Sequence, residues 1–173
     1  LLALGPRPFP LPLGAMAPVV EGVFTGAART DWIVCGPRER IGAVLRGCSV
    51  ERLVDPSKGA RPYKLAPCSD APGSRALHAV GIALAAGGPV ICMLGAASAA
   101  TGAFYEAMNT AALTGAKVIF VVSIPTLTDD APVTIQLAES PAAIAGALGI
   151  ETVTPQTTIE AISRSIESAR THE

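Results

Sequence analysis

Aromatic residues make up only 4% of this 173-residue chain, and charged residues only 16%, with a formal net charge of −1. No basic run stands out, so the electrostatic footprint of a nucleic-acid-binding protein is missing. The four cysteines, Cys35, Cys48, Cys68 and Cys92, form no CxxC pair. Cys35 and Cys92 lie inside apolar runs, where a thiol behaves as a small hydrophobe. Neither a zinc site nor a disulfide framework is expected, and a reducing compartment is the simpler reading. No G-x-S-x-G elbow is present, and no Cys–His pairing is visible. Formal charge is absent altogether from Ala76 to Tyr105. That stretch is not read as a membrane span, because Gly87-Gly88-Pro89 and Gly95 divide it into pieces of core-helix and core-strand length.

What remains is Ala, Val, Ile and Leu, with abundant Gly and Pro. Small side chains let helices lie close to a sheet, which suits a layered α/β domain. Leu1 to Ala17, with prolines at 6, 8, 10 and 12 and one charge at Arg7, is expected to be an extended arm packing on a partner. A processed targeting remnant or a vector-derived stretch are the other readings. Residues 18–173 are expected to form one domain.

Within it, Pro18 to Ala28 reads as a helix and Asp31 to Cys35 as a strand. Arg38 to Arg46 reads as a helix stopped by Gly47, followed by a short turn at Val50 to Val54. Asp55 to Gly73 reads as loop, since its prolines and glycines exclude regular structure, and its Lys58, Arg61 and Lys64 read as solvated charge, with contact to an anion or a partner as the other reading. Ser74 is expected to cap a helix through Ala86. Pro89 to Leu94 is a short continuous apolar run, as a parallel strand covered on both faces requires, and Lys117 to Val122 reads as a second buried parallel strand. Thr101 to Leu113 reads as the helix between them, giving a βαβ unit. A polar loop with Asp129 and Asp130 follows. Ile135 to Leu148 reads as helical with a break at Pro141, and Ile150 to Val153 as a further strand. Gln156 to Arg170 closes the chain as an amphipathic helix with Ile159, Ile162 and Ile166 on one face. The expected fold is a three-layer α/β/α domain around a doubly wound, mostly parallel sheet.

The centre of the chain carries a more specific pattern. Gly95 ends a strand, Gly102 follows, and a helix reads Phe104-Tyr105-Glu106-Ala107-Met108-Asn109-Thr110-Ala111-Ala112 before the strand Val118-Ile119-Phe120-Val121-Val122. This segment resembles the alpha subunit of the thiamine-diphosphate-dependent 2-oxoacid dehydrogenases of the pyruvate and branched-chain type. That family has Gly-Asp-Gly-Ala at the strand end, an aromatic-Glu-Ala-x-Asn-x-Ala-Ala helix, and a Val-Ile-Phe-Val-Val strand closed by Asn-Asn. The 26 residues between Ala97 and Ile124 reproduce the motif's spacing. Leu77 to Ala85 is similar to the helix preceding that signature. Asp31 to Val34 followed by Arg38-Glu39 is similar to the strand and arginine segment near the cofactor, and Ala142 to Ile150 to the passage after the site. The resemblance implies the thiamine-diphosphate-binding fold in a shortened form.

The ligand positions depart from the family. There, an Asp and an Asn bind Mg²⁺, which grips the cofactor diphosphate. Here the Asp position is Ala96, the second Gly is Ala97, and the Asn pair is Ile124 and Pro125. None of these side chains can ligate magnesium. A diphosphate buried there without metal would leave uncompensated charge, costing on the order of several kcal/mol. The degenerate site therefore comprises Gly95, Ala96, Ala97, Ser98 and Thr101, with Arg38 at the position of a diphosphate-contacting arginine. Without the metal, Arg38 is expected as a surface residue at a helix start. Ser98, Thr101 and nearby backbone N–H groups remain able to hold a small anion. Glu106 and Asn109 are expected to cap the helix or bond across a subunit interface, together with Gly102 and His78. No catalytic residue and no metal ligand is assigned.

The expectation is thus a thiamine-diphosphate-enzyme-like domain without cofactor, serving as a structural or regulatory subunit. Its partner would be a second copy or a beta-type subunit, in the mitochondrial matrix or a bacterial cytoplasm. The alternative is an active alpha-type subunit of a 2-oxoacid dehydrogenase or decarboxylase, binding Mg²⁺ and thiamine diphosphate through Ser98, Ser123 or Asp129. A plain anion-binding α/β module at Gly95 to Thr101 is a third reading; that turn is not GxGxxG and lacks a P-loop lysine.

Overall fold

The computed structural model describes residues 13–55, 59–67, 71, 73–124 and 137–171. It is an α/β structure built on a small sheet of three parallel strands in the order β1-β2-β3. These are β1 (Trp32–Val34), β2 (Val90–Gly95) and β3 (Val118–Ser123). The register pairs Val34 with Cys92, and Cys92 with Phe120. The central strand β2 is buried from Val90 to Leu94, which is why its sequence is continuously apolar rather than alternating.

Alternate residues of β2 enter two apolar clusters. Val90, Cys92 and Leu94 pack with Ala76, Ala79, Val80, Ala83, Phe104, Ala107, Met108 and Ala111. These belong to α3 (Ser74–Ala86) and α5 (Gly102–Thr114), the helices leading into β2 and β3. The alanines bring both helices close to the sheet, and Phe104 meets Phe120 edge-on with ring centroids 5.4 Å apart. Ile91 and Met93 face the other way, toward α1 (Ala17–Gly26) and α7 (Ile159–Thr171). Helices therefore cover both faces of β2, and the low aromatic content is explained by small-residue packing.

The contact between α1 and α7 depends on two glycines one turn apart. A Cβ on Gly22 would lie 2.8 Å from Ile162 Cβ, and one on Gly26 only 2.5 Å from the Ser163 carbonyl oxygen. α7 buries Ile162, Ser163 and Ile166, close to the amphipathic face expected.

The uncharged stretch from Ala76 to Tyr105 divides into helix, strand and helix, as its glycine breaks imply. No helix among the described residues is long and apolar enough to cross a membrane. Thr101 caps α5, its Oγ accepting from the Phe104 N–H at 3.3 Å. Gly47 and Gly115 close their helices in the left-handed conformation, at φ +85° and +66°.

Several expectations are corrected. Ile150 to Val153 forms no strand: Ile150 donates its N–H to the Ala145 carbonyl, and Glu151 to Val153 are exposed. Its two apolar residues stand three apart, so they would fall on opposite faces of a strand. The chain therefore has three described strands, not four. Residues 39–46 are a 3₁₀ helix, and Val50–Val54 is a full α-helical turn, α2, capped by Ser49. Ser74 is the first residue of α3 and not its cap; its hydroxyl donates to the Ala71 carbonyl. Pro141 begins α6 (Pro141–Ala147), with Ser140 as cap, because proline suits a helix's first turn. Residues 14–16 form a 3₁₀ turn and Ala17 begins α1, so the described end of the expected arm is helical. Residues 1–12 lie outside the described residues.

The loop after α2 is more ordered than its prolines suggest. Arg61–Tyr63 is a 3₁₀ turn, and Leu65 bridges Ile33 in parallel. Ile33 donates to the Lys64 carbonyl at 2.8 Å and accepts from the Ala66 N–H at 2.9 Å. Lys64 is not simply solvated: its Nζ stands 5.1 Å over the Trp32 ring, a cation–π contact. Lys58 lies outside the described residues.

Candidate functional site

The carboxyl ends of the parallel strands are where α/β sheets bind ligands, usually where the strand order reverses. The three described strands run in sequence order, so no such reversal occurs among them. At the end of β2, Gly95 is extended (φ −95°, ψ 173°), and the chain turns at once into α4 (Ala96–Ala99). Ala96 is buried, Ala97 is exposed and Ser98 is buried. Thr101 donates its hydroxyl to the Ser98 carbonyl at 2.7 Å while capping α5. Its polar capacity is thus spent on the backbone. Gly73, at the start of α3, sits against it: a Cβ there would lie 2.6 Å from Thr101 Oγ1.

Arg38 is exposed beside the end of β1. Ile124 is 43% exposed just past β3, and Ser123 is half-buried as the last strand residue. Pro125, Asp129 and Asp130 lie outside the described residues. The donor set at the family's metal position, as far as it is described, is the Ala96 methyl and the Ile124 alkyl group. Neither offers an oxygen to a hard cation, so these residues do not fit a magnesium diphosphate. Among the described residues no group of three or more His, Cys, Asp or Glu gathers as a metal site.

The proposed interface residues are dispersed along two helices. His78 is exposed on α3; Gly102 and Glu106 are exposed on α5, and Asn109 is half-buried. Glu106 does not cap: it lies in the second turn and accepts from the Thr110 hydroxyl at 3.4 Å. Asn109 lies in the third turn, beyond the cap position. Around them stand large exposed apolar side chains, Leu77 and Leu84 on α3 and Tyr105 and Leu113 on α5.

Burial favours the protonated thiol at two of the cysteines. It pushes the Cys92 thiol up to about 12, only partly countered by Arg75. It also raises the Cys48 thiol, against the opposing charges of Arg52 and Arg40. A thiol that stays protonated is neither nucleophile nor metal ligand. Cys35 is buried too, and Cys68 lies outside the described residues.

Two buried arginines escaped sequence reasoning. Arg46 is held by three carbonyls: NH1 donates to Asp31 at 2.8 Å and Tyr63 at 3.0 Å, and NH2 to Ala28 at 3.0 Å. Its guanidinium also lies 5.6 Å from the Phe24 ring centroid. Desolvation lowers its pKa, with Asp31 opposing. Arg75, on α3, is 9% exposed, and its Nε has no hydrogen-bond partner. The one signal in the sequence was that Arg75 is the charge immediately before the long uncharged run. No family model matches this chain, and no curated protein sequence matches it.

Proposed function

We propose that this chain is a thiamine-diphosphate-enzyme-like domain, related to the alpha subunit of the 2-oxoacid dehydrogenases, that does not bind magnesium thiamine diphosphate. It serves as a structural or regulatory subunit of a larger assembly. On this reading the parallel sheet and its covering helices are part of a three-layer, doubly wound thiamine-diphosphate-binding fold.

The observation that carries the reading is the juxtaposition at the end of β2. The first strand of a parallel βαβ unit with the family's residue pattern ends in Gly95, and the chain enters α4 through a buried Ala96, where a metal ligand belongs. Supporting it, Thr101 is engaged in helix capping. Exposed Leu77, Leu84, Tyr105 and Leu113 give α3 and α5 an apolar outer surface suited to a protein partner. The partner is a second copy of this chain or a beta-type subunit.

An active alpha-type subunit would need ligands from Ser98, Ser123 or Asp129. Ser98 and Ser123 offer only hydroxyls, weak partners for Mg²⁺ compared with a carboxylate and an amide oxygen, and Asp129 lies outside the described residues. The test is a decarboxylation assay with 2-oxoacids, Mg²⁺, thiamine diphosphate and beta-type subunits. No turnover is expected; turnover dependent on this chain overturns the proposal.

A further inference from the structure

A groove of about 760 Å³ opens beside β1, on the side bridged by Leu65. Its walls are mostly apolar: Trp32 from β1, Leu53 and Val54 from α2, Leu65 from the bridging segment and Ile82 from α3. Leu53 and Leu65 are buried, Trp32 and Ile82 half-buried, and Val54 is 48% exposed. Its charged lining is Arg40, Arg61 and Asp55, two arginines against one aspartate. Lys64 Nζ, 5.1 Å over the Trp32 ring, adds positive potential at the same wall. Among the described residues neither arginine is neutralised from within. Arg40 gives a single hydrogen bond, 3.3 Å long, to the Ala66 carbonyl, and Arg61 makes no ion pair or side-chain hydrogen bond.

We propose that this groove binds a small amphipathic carboxylate, its apolar tail along Trp32, Leu53 and Ile82 and its carboxylate on the guanidinium groups of Arg40 and Arg61. A largely apolar hollow of this size with a few polar groups suits a small organic ligand. The forked donors of a guanidinium match the two oxygens of a carboxylate. An inorganic anion alone would leave the apolar walls wetted. A neutral apolar compound would leave both guanidinium groups unmatched, and the excess positive charge repels an organic cation. No residue of the degenerate site at Gly95 to Thr101 is used, so the inference stands or falls apart from the thiamine-diphosphate reading.

Trp32 is the only tryptophan of the chain, so its emission reports on this groove directly. The test is a fluorescence titration of the full chain with octanoate, alongside octanol and inorganic phosphate. Octanoate should change the Trp32 emission saturably and at lower concentration than octanol, and phosphate should leave it unchanged. Arg40→Gln and Arg61→Gln should each weaken octanoate binding about two- to fivefold. Val54→Glu, which adds a carboxylate beside Asp55, should abolish it. Arg61 and Val54 are exposed, so their variants keep the test valid if Arg40→Gln fails to fold. Absence of a saturable response to octanoate overturns the proposal. So does octanol or phosphate binding as tightly as octanoate, or unchanged octanoate affinity in Arg61→Gln and Val54→Glu.

Discussion

Arg170, in the last turn of α7, donates from Nε and NH2 to the carboxylate of Asp31, the residue that precedes β1; the NH2 bond is 3.3 Å. Asp31 is buried and also accepts from the Ala28 N–H at 2.8 Å. The pair therefore fastens the final helix to the first strand, across 139 residues of sequence. Its position at a helix C-terminus adds a favourable dipole term for the arginine.

Removing one partner of such a pair leaves a buried charge without compensation. Arg170→Met should lower unfolding free energy by about 2–4 kcal/mol in urea denaturation. Asp31→Asn combined with Arg170→Met should cost less than the sum of the two single changes. Additive effects would show that the pair contributes nothing as a pair.

The glycines of α1 and α3 give a contrast of sign. Gly26→Ala drives a methyl into the Ser163 backbone and should destabilise by about 1–3 kcal/mol by forcing α1 from α7. A methyl placed on Gly81, in the exposed face of α3, would meet nothing within 4 Å. Gly81→Ala should therefore stabilise by about 0.5–1 kcal/mol through helix propensity. Thermal denaturation of both variants checks the pair, and equal effects would contradict the packing described.

The Cys92 thiol yields a pH dependence with a definite sign. Its pKa rises from 9.0 to about 12 on folding. Between those values the unfolded chain has lost the proton that the folded chain keeps, so stability falls as pH rises. The contribution is fully present below pH 9 and declines by about 1.4 kcal/mol per unit above it. Urea denaturation from pH 8 to 10.5 should show this decline more steeply in the parent chain than in Cys92→Ala. A parallel decline in both would mean that Cys92 titrates normally.

Local pattern revealed much of this architecture. The apolar run at 90–94 is a covered strand, whereas the run at 118–122, expected to be buried as well, is a strand left half-buried along its length; Gly47 and Gly115 marked their helix ends. The strand expected at Ile150 failed because two apolar residues three apart carry no strand periodicity. Contacts set by tertiary packing left no comparable trace. Nothing near Gly22 or Gly26 announces α7, and nothing near Asp31 announces Arg170. The candidate site was read from the apolar residues at Ala96 and Ile124, and the structure adds that Ala96 is buried and Ile124 exposed. Arg75 was missed because a lone arginine at a helix start looks like surface charge until the fold buries it.

The central claim is that this domain does not hold magnesium thiamine diphosphate, and calorimetric titration of the purified chain tests it most directly. With Mg²⁺ present, thiamine diphosphate should give no saturable heat that disappears when the metal is chelated. Saturable binding that requires Mg²⁺ would contradict the account, because it would demand metal ligands at a site whose described side chains are a methyl and an alkyl group.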